Sequence, residues 1–132
     1  LGLMTFHLFT ETFYIVSKLP LNGLPPKVIT NDMTNPANSY QLSVLEKFGI
    51  KPLMEMDAYT AAAQLALGGT GPALIPLSIV KTLNIESQYL YSFPELAGLI
   101  RPIHVCVRPN SYQSPRVKAL IESIVDAVPK AV

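Results

Sequence analysis

From Lys27 to about Gln88 the sequence alternates between short β-branched or apolar runs and longer runs with helical spacing. This alternation constrains the fold more than any other feature. Strands separated by single helices build a parallel, doubly wound α/β sheet, because each helix carries the chain back to start the next strand in the same direction. Lys27–Thr30 reads as a strand. Pro36 then sits at the first helical position, where its missing amide costs nothing, with Asn35 as N-cap. Ala37, Tyr40, Val44, Leu45 and Phe48 recur at helical spacing, and Gly49 stands where a left-handed cap belongs. Pro52–Met56 is a weaker strand. Asp57 is placed to cap an alanine-rich helix, Ala58–Leu67, which ends at Gly68-Gly69. Gly71–Ile75 reads as a short buried strand, and Pro76 as the opening of a helix through Leu83.

Outside this alternating block, Thr12–Val16, Gln88–Phe93 and Pro102–Arg108 read as strands. Ser114-Pro115 is a second N-cap and first-turn pair. Behind it Val117, Leu120, Ile121, Ile124, Val125 and Val128 form an apolar stripe, and Pro129 is positioned to stop the helix. A chain of 132 residues is one domain at most. It begins at Leu1 without a charged leader segment and reads as a part of something longer.

Charged residues are 14% of the chain and hydrophobic residues 49%. A disordered tail has the opposite balance. Ten basic and nine acidic side chains give a formal charge of +1, without the basic excess of a nucleic-acid-binding module. So little charge suggests a domain that hides surface against another part of its own protein or a partner. No apolar run approaches the roughly 20 residues of a membrane span. Cys106 is the one cysteine, which excludes a disulfide framework.

The inventory for catalysis is thin. His7 and His104 lie in strand-like apolar segments, and Cys106 shares a strand face with His104. No spacing matches a zinc motif, and Gly69-Thr70-Gly71 lacks both the third glycine of a dinucleotide fingerprint and the lysine of a P-loop. It reads as a helix-to-strand turn. No enzyme, cofactor or metal is expected. The best functional candidate is the segment Asn31–Asn38, whose small polar side chains precede the first helix; within it Asn31, Met33, Thr34 and Asn35 are the site residues expected. A helix N-terminus there favours a carboxylate or similar anion. The alternative is a loop whose polar groups only cap the helix. Tyr59 and Thr60, at the next helix start, point to the same sheet edge if the sheet is parallel.

Several runs, in order, resemble the LysR-type transcriptional regulators. Gly69-Thr70-Gly71-Pro72-Ala73-Leu74-Ile75-Pro76 resembles that family's G-x-G-(I/V)-(A/T)-x-(L/V)-P stretch, with Pro72 in place of the usual β-branched residue. Gln64–Leu67 resembles the helix end before it. Phe48–Pro52 with Glu55, Leu8–Glu11 with Ile15-Val16, and Ser114-Pro115 follow the family's order and spacing. The resemblance implies the second half of an effector-binding domain of the periplasmic-binding-protein-like (type 2) fold. Residues of about 18–100 would be the second subdomain. Residues 1–17 and 101–132 would be crossover strands and a helix, Ser114–Val128, that returns to a first subdomain. A small-molecule effector would bind between the subdomains, with Asn31–Asn35 and the start near Tyr59 as this chain's share. DNA would be bound only through a winged helix-turn-helix outside the chain. A cytoplasmic homo-oligomer is implied. The rival expectation is a periplasmic solute-binding protein of related fold.

Overall fold

The computed structural model describes residues 2–128. The chain runs β1 (Met4–Val16), β2 (Lys27–Asn31), α1 (Pro36–Lys47), β3 (Lys51–Met56), α2 (Tyr59–Leu67), β4 (Ala73–Pro76), α3 (Leu77–Thr82), β5 (Leu90–Tyr91), β6 (Ile100–Val107), α4 (Pro109–Tyr112) and α5 (Pro115–Ala127). Two 3₁₀ turns, Ser87–Tyr89 and Pro94–Leu96, flank β5.

The helix ends follow from local chemistry. Asn35 caps α1, its side chain accepting from the Ala37 amide at 3.0 Å, with Pro36 in the first turn. At the other end Gly49 takes φ +71°. Its amide reaches Glu46 O at 3.0 Å and that of Ile50 reaches Leu45 O at 2.9 Å, a paired closure that uses up orphan carbonyls. The same closure ends α2 at Gly69 (φ +93°) and α3 at Asn84 (φ +51°). Their partners are Ala66 O and Leu65 O after α2, and Lys81 O and Val80 O after α3. Each closure turns the chain sharply out of its helix.

The sheet order is β3-β2-β4-β1-β5, with β6 also paired to β1. β2 is parallel to both β3 and β4, whereas β1 is antiparallel to β4 and β5. The doubly wound arrangement expected from the alternation is the β3-β2-β4 part of a mixed sheet. Val28, Ile29, Ala73, Leu74 and Ile75 are all fully buried, as strands covered on both faces must be. Ala62, Ala63 and Ala66 have no exposed surface, and their small side chains let α2 lie close to the sheet. The register of β2 on β3 shifts after Val28, which pairs with Pro52, so that Ile29 faces Met54 and Leu53 is the extra residue.

Several local expectations need correction. α2 starts at Tyr59, and its N-cap, Ala58, makes no side-chain bond, so Asp57 is not the cap. Pro76 ends β4, where it pairs with Phe13, and α3 begins one residue later. Ser114 occupies the N-cap position of α5, but its side chain makes no capping bond. The strand expected over Gln88–Phe93 is reduced to Leu90–Tyr91, because a 3₁₀ turn closes through Tyr89 N–Glu86 O and Pro94 opens another. β1 is far longer than Thr12–Val16, since its first half pairs with β6. α5 has Val128 as its C-cap, and Pro129 lies outside the described residues.

The described chain divides into two compact units, residues 2–11 with 101–128, and Thr12–Ile100. Apart from Ile121, the buried apolar residues all belong to the second of these. In the first, Phe6 packs its ring on Tyr112 at 5.1 Å, and Glu11, fully buried, faces Arg101 at 3.8 Å.

Candidate functional site

β2 lies between β3 and β4: the connection through α1 runs from β2 out to β3, and the one through α2 returns in the opposite sense past β2 to β4. The crevice at such a reversal, beyond the carboxyl ends of the strands, is where open α/β sheets receive ligands. Three segments emerge there: Asn31–Asn35 after β2, Asp57–Thr60 after β3, and Pro76–Ser78 after β4. Sequence reasoning named the first two. It missed the third, together with Phe13, which meets this edge because β1 runs antiparallel and pairs with Pro76. The signal was present in principle: in a parallel sheet the end of the third strand must join the ends of the other two.

The loop after β2 is a set of short internal bonds. Asn31 Oδ1 accepts from the Asp32 amide at 3.0 Å. The Thr34 amide and hydroxyl both donate to Asp32 Oδ1, at 2.9 and 2.6 Å. The hydroxyl bond first, then the amide bond, hold the Asp32 carboxyl below its ordinary pKa. Asn35 accepts from Ala37, and the amides of Asn38 and Ser39 both reach Asn35 O, at 2.8 and 3.0 Å. Pro36 has no amide. The first turn of α1 therefore spends its amides on Asn35. What this loop offers a ligand is the carboxamide nitrogens of Asn31 and Asn35, with the Thr34 hydroxyl engaged by Asp32.

The six candidate residues do not form one surface. Thr34, Asn35 and Thr60 are exposed and Asn31 is half-buried. Met33 and Tyr59 are each only 7% exposed and belong to the core. The Tyr59 ring packs against Phe13 at 6.1 Å. Its hydroxyl accepts from Gln41 Nε2 at 3.0 Å and donates to Asn38 Oδ1 at 3.3 Å. Asn38 Nδ2 in turn donates to Asp32 O at 3.0 Å. Tyr59 thus braces the loop from beneath through Asn38. Both Asn38 and Gln41 are buried; Asn38 ends the candidate segment read from the sequence, whereas Gln41 looks like an ordinary helix position and was passed over.

One cavity, about 490 Å³, lies at the amino edge and is lined by Pro20–Lys27, Leu53 and Thr70–Pro72. Its lining is mainly proline, glycine and leucine, with Asn22, Lys27 and Thr70 as the polar side chains. A smaller one, about 250 Å³, lies beside β1, between Thr12–Tyr14 and the segment Ser92–Ala97. The chemistry favours the carboxyl edge, where amides and hydroxyls gather. Among the described residues no group of three His, Cys, Asp or Glu is placed to hold a metal. No described helix is long and apolar enough to cross a membrane.

Comparison with known proteins bears on what this edge serves. A family model described as the LysR substrate binding domain matches residues 28–129. The chain is 61% identical over 131 residues to an uncharacterized HTH-type transcriptional regulator of Vibrio cholerae serotype O1. That alignment takes in 99% of this chain and 46% of the relative, so the chain spans about half the relative's length. Among solved structures, it superposes on the regulatory domain of CrgA, a LysR-type transcriptional regulator from Neisseria meningitidis. The TM-score is 0.69, at 17% identity, over 97% of this chain and 70% of that one. It superposes also on the regulatory domain of HypT from Salmonella typhimurium, with a TM-score of 0.68 at 14% identity, over 94% and 64%. At such identities these structures show the fold alone.

Proposed function

This chain belongs to the LysR substrate binding domain family, and we propose that it is the ligand-sensing part of a LysR-type transcriptional regulator in the cytoplasm. It binds a small metabolite, anionic at the end that meets the protein, and controls a winged helix-turn-helix carried outside this chain. The observation that carries the reading is the carboxyl edge of β3-β2-β4, where the chain reverses its winding and Asn31–Asn35 emerges beside α1. The ligand is held by neutral donors, the carboxamides of Asn31 and Asn35 and the hydroxyl of Thr60, while Thr34 fixes the loop through its two bonds to Asp32. Met33 and Tyr59 shape the site from the core side. The role is binding, as the match to a substrate binding domain supports.

The relative that supports this reading is a transcriptional regulator, which favours regulation over periplasmic solute transport. DNA enters only through the domain outside the chain, and the full protein acts as a homo-oligomer.

The test is made on the intact regulator. Small carboxylates are screened for an increase in melting temperature, and the best is assayed with a reporter gene. Asn35→Gly keeps helix capping to within a few tenths of a kcal/mol but removes the carboxamide, and should abolish both responses. If no metabolite raises the melting temperature, or if Thr34→Ala and Asn35→Gly leave induction intact, the site is wrong.

A further inference from the structure

The hollow at the amino edge lies at the opposite end of the strands from Asn31–Asn35, within the unit Thr12–Ile100. We propose that it is a second ligand site, for a small carboxylate with an apolar body.

The walls are the first argument. The connector from β1 to β2 carries Pro20, Pro25 and Pro26, whose fixed φ angles stiffen it. Facing it is Leu53, the extra residue of the β2–β3 register shift. A Cβ built on Gly71 would stand only 2.6 Å from Leu53 Cδ2, so a residue without a side chain at 71 is what lets Leu53 take this place. The hollow of about 490 Å³ falls within the roughly 300–1,000 Å³ of small-molecule sites. A neighbouring one of about 220 Å³ shares Pro20, Leu21, Gly71 and Pro72 with it, and the two form one trough.

The second argument is charge. Lys27 lines the larger hollow and pairs in register with Lys51, and both are exposed. Neither makes an ion pair among the described residues. Like charges on adjacent strands repel, and a carboxylate beside them offsets that repulsion. Lys18 lines the smaller hollow, its Nζ 3.3 Å from the Tyr89 hydroxyl. No Asp or Glu lines either hollow. The ligand's carboxylate therefore meets Lys27, and its apolar body meets Leu21, Leu24 and Leu53. A free molecule fits better than a protein segment added as a strand, because Pro52 leaves the nearby edge of β3 short of an amide. This site draws on cations, whereas the carboxyl edge offers neutral donors, so the two are independent.

The experiment is a ¹H–¹⁵N NMR titration of the full chain with phenylbutyrate, and with phenylbutanol as the uncharged match. Saturable shifts are expected at the amides of Leu21, Leu24, Leu53 and Gly71 with the acid, and weaker binding with the alcohol. Lys27→Glu, which also engages Lys51, should weaken the acid roughly fivefold, the upper range for an exposed ion pair. Leu53→Ala should weaken both probes. Arg116→Gln, in the other unit, should leave both unchanged. Lys27 is exposed at a strand start, so Lys27→Glu decides the matter if Leu53→Ala unfolds. Equal affinity for acid and alcohol, unchanged affinity in Lys27→Glu, shifts confined to Asn31–Asn35, or tighter binding by a short peptide of leucine and glutamate would each overturn the proposal.

Discussion

Two bonds from Thr34 depress the Asp32 pKa, and the hydroxyl bond is the larger cause. In a carbon-detected NMR titration, the Asp32 carboxyl should titrate below the ordinary aspartate value of about 3.9. Thr34→Ala should move it upward, though not fully, because the backbone amide still donates. A depressed carboxyl contributes stability that is complete above its unfolded pKa and lost as pH falls through its folded one. The effect is therefore confined to acid, below about pH 4, and is screened by solvent at this exposed position. Tyr59 has a deeper role. Gln41 Oε1 is already buried without a partner, and Tyr59→Phe would strand Gln41 Nε2 and Asn38 Oδ1 as well. Chemical denaturation should show a loss of about 1–3 kcal/mol, the usual penalty for stranding a buried polar group. These two residues mark what local reading can reach. Thr34 and Asn35 bond to neighbours two positions away, so their turn and cap were legible. The partners of Tyr59 are 18 and 21 residues off. No spacing rule distinguishes a tyrosine at the mouth of a crevice from one beneath it.

At the scale of elements, the three helix closures carry separable predictions. Gly49 has open space for a Cβ but a φ of +71°. Gly49→Ala should therefore cost roughly 1–2 kcal/mol through backbone conformation alone, measurable as a lower denaturation midpoint. Asn84 holds the equivalent place after α3 at φ +51°. Asn84→Gly should be close to neutral, since asparagine already tolerates this region. Helix starts and stops were readable from Asn35-Pro36, Gly49 and Gly69 because these signals act within one turn. The direction of β1 was not. A strand's apolar pattern reports its two faces and says nothing of its neighbours, so the antiparallel partner of β4 appears only once the sheet is assembled. The same limit hid the ending of β5, where the 3₁₀ turns on either side compete for residues with strand character.

For the whole molecule, the uneven division of the core matters most. The unit of residues 2–11 and 101–128 buries a single apolar side chain, Ile121, while Leu120 on the same helix is 59% exposed and Leu3 58%. The low charge of the sequence and these exposed leucines lead to the same expectation, surface covered by a partner. The chain should self-associate in dilute solution, with an apparent mass above that of one copy by light scattering. Leu120→Lys should return it towards the monomer mass without lowering its melting temperature. A monomer in the unsubstituted chain would refute this. The family resemblance gave the fold; composition alone gave only the expectation of surface to be covered.

The shift of register on β3 has a bearing on what such association can become. Growth of a sheet by addition of another copy needs a straight edge with its amides in step. In the larger unit, one edge of the β3-to-β5 order is β3, with Pro52 lacking an amide and Leu53 out of register, and the other is β5, two residues long. Neither can template a continuing ladder. Copies of this chain that adhere through exposed leucines should therefore not extend the ladder at β3 or β5, and Leu53, the irregularity in the β2–β3 pairing, guards the first of these edges.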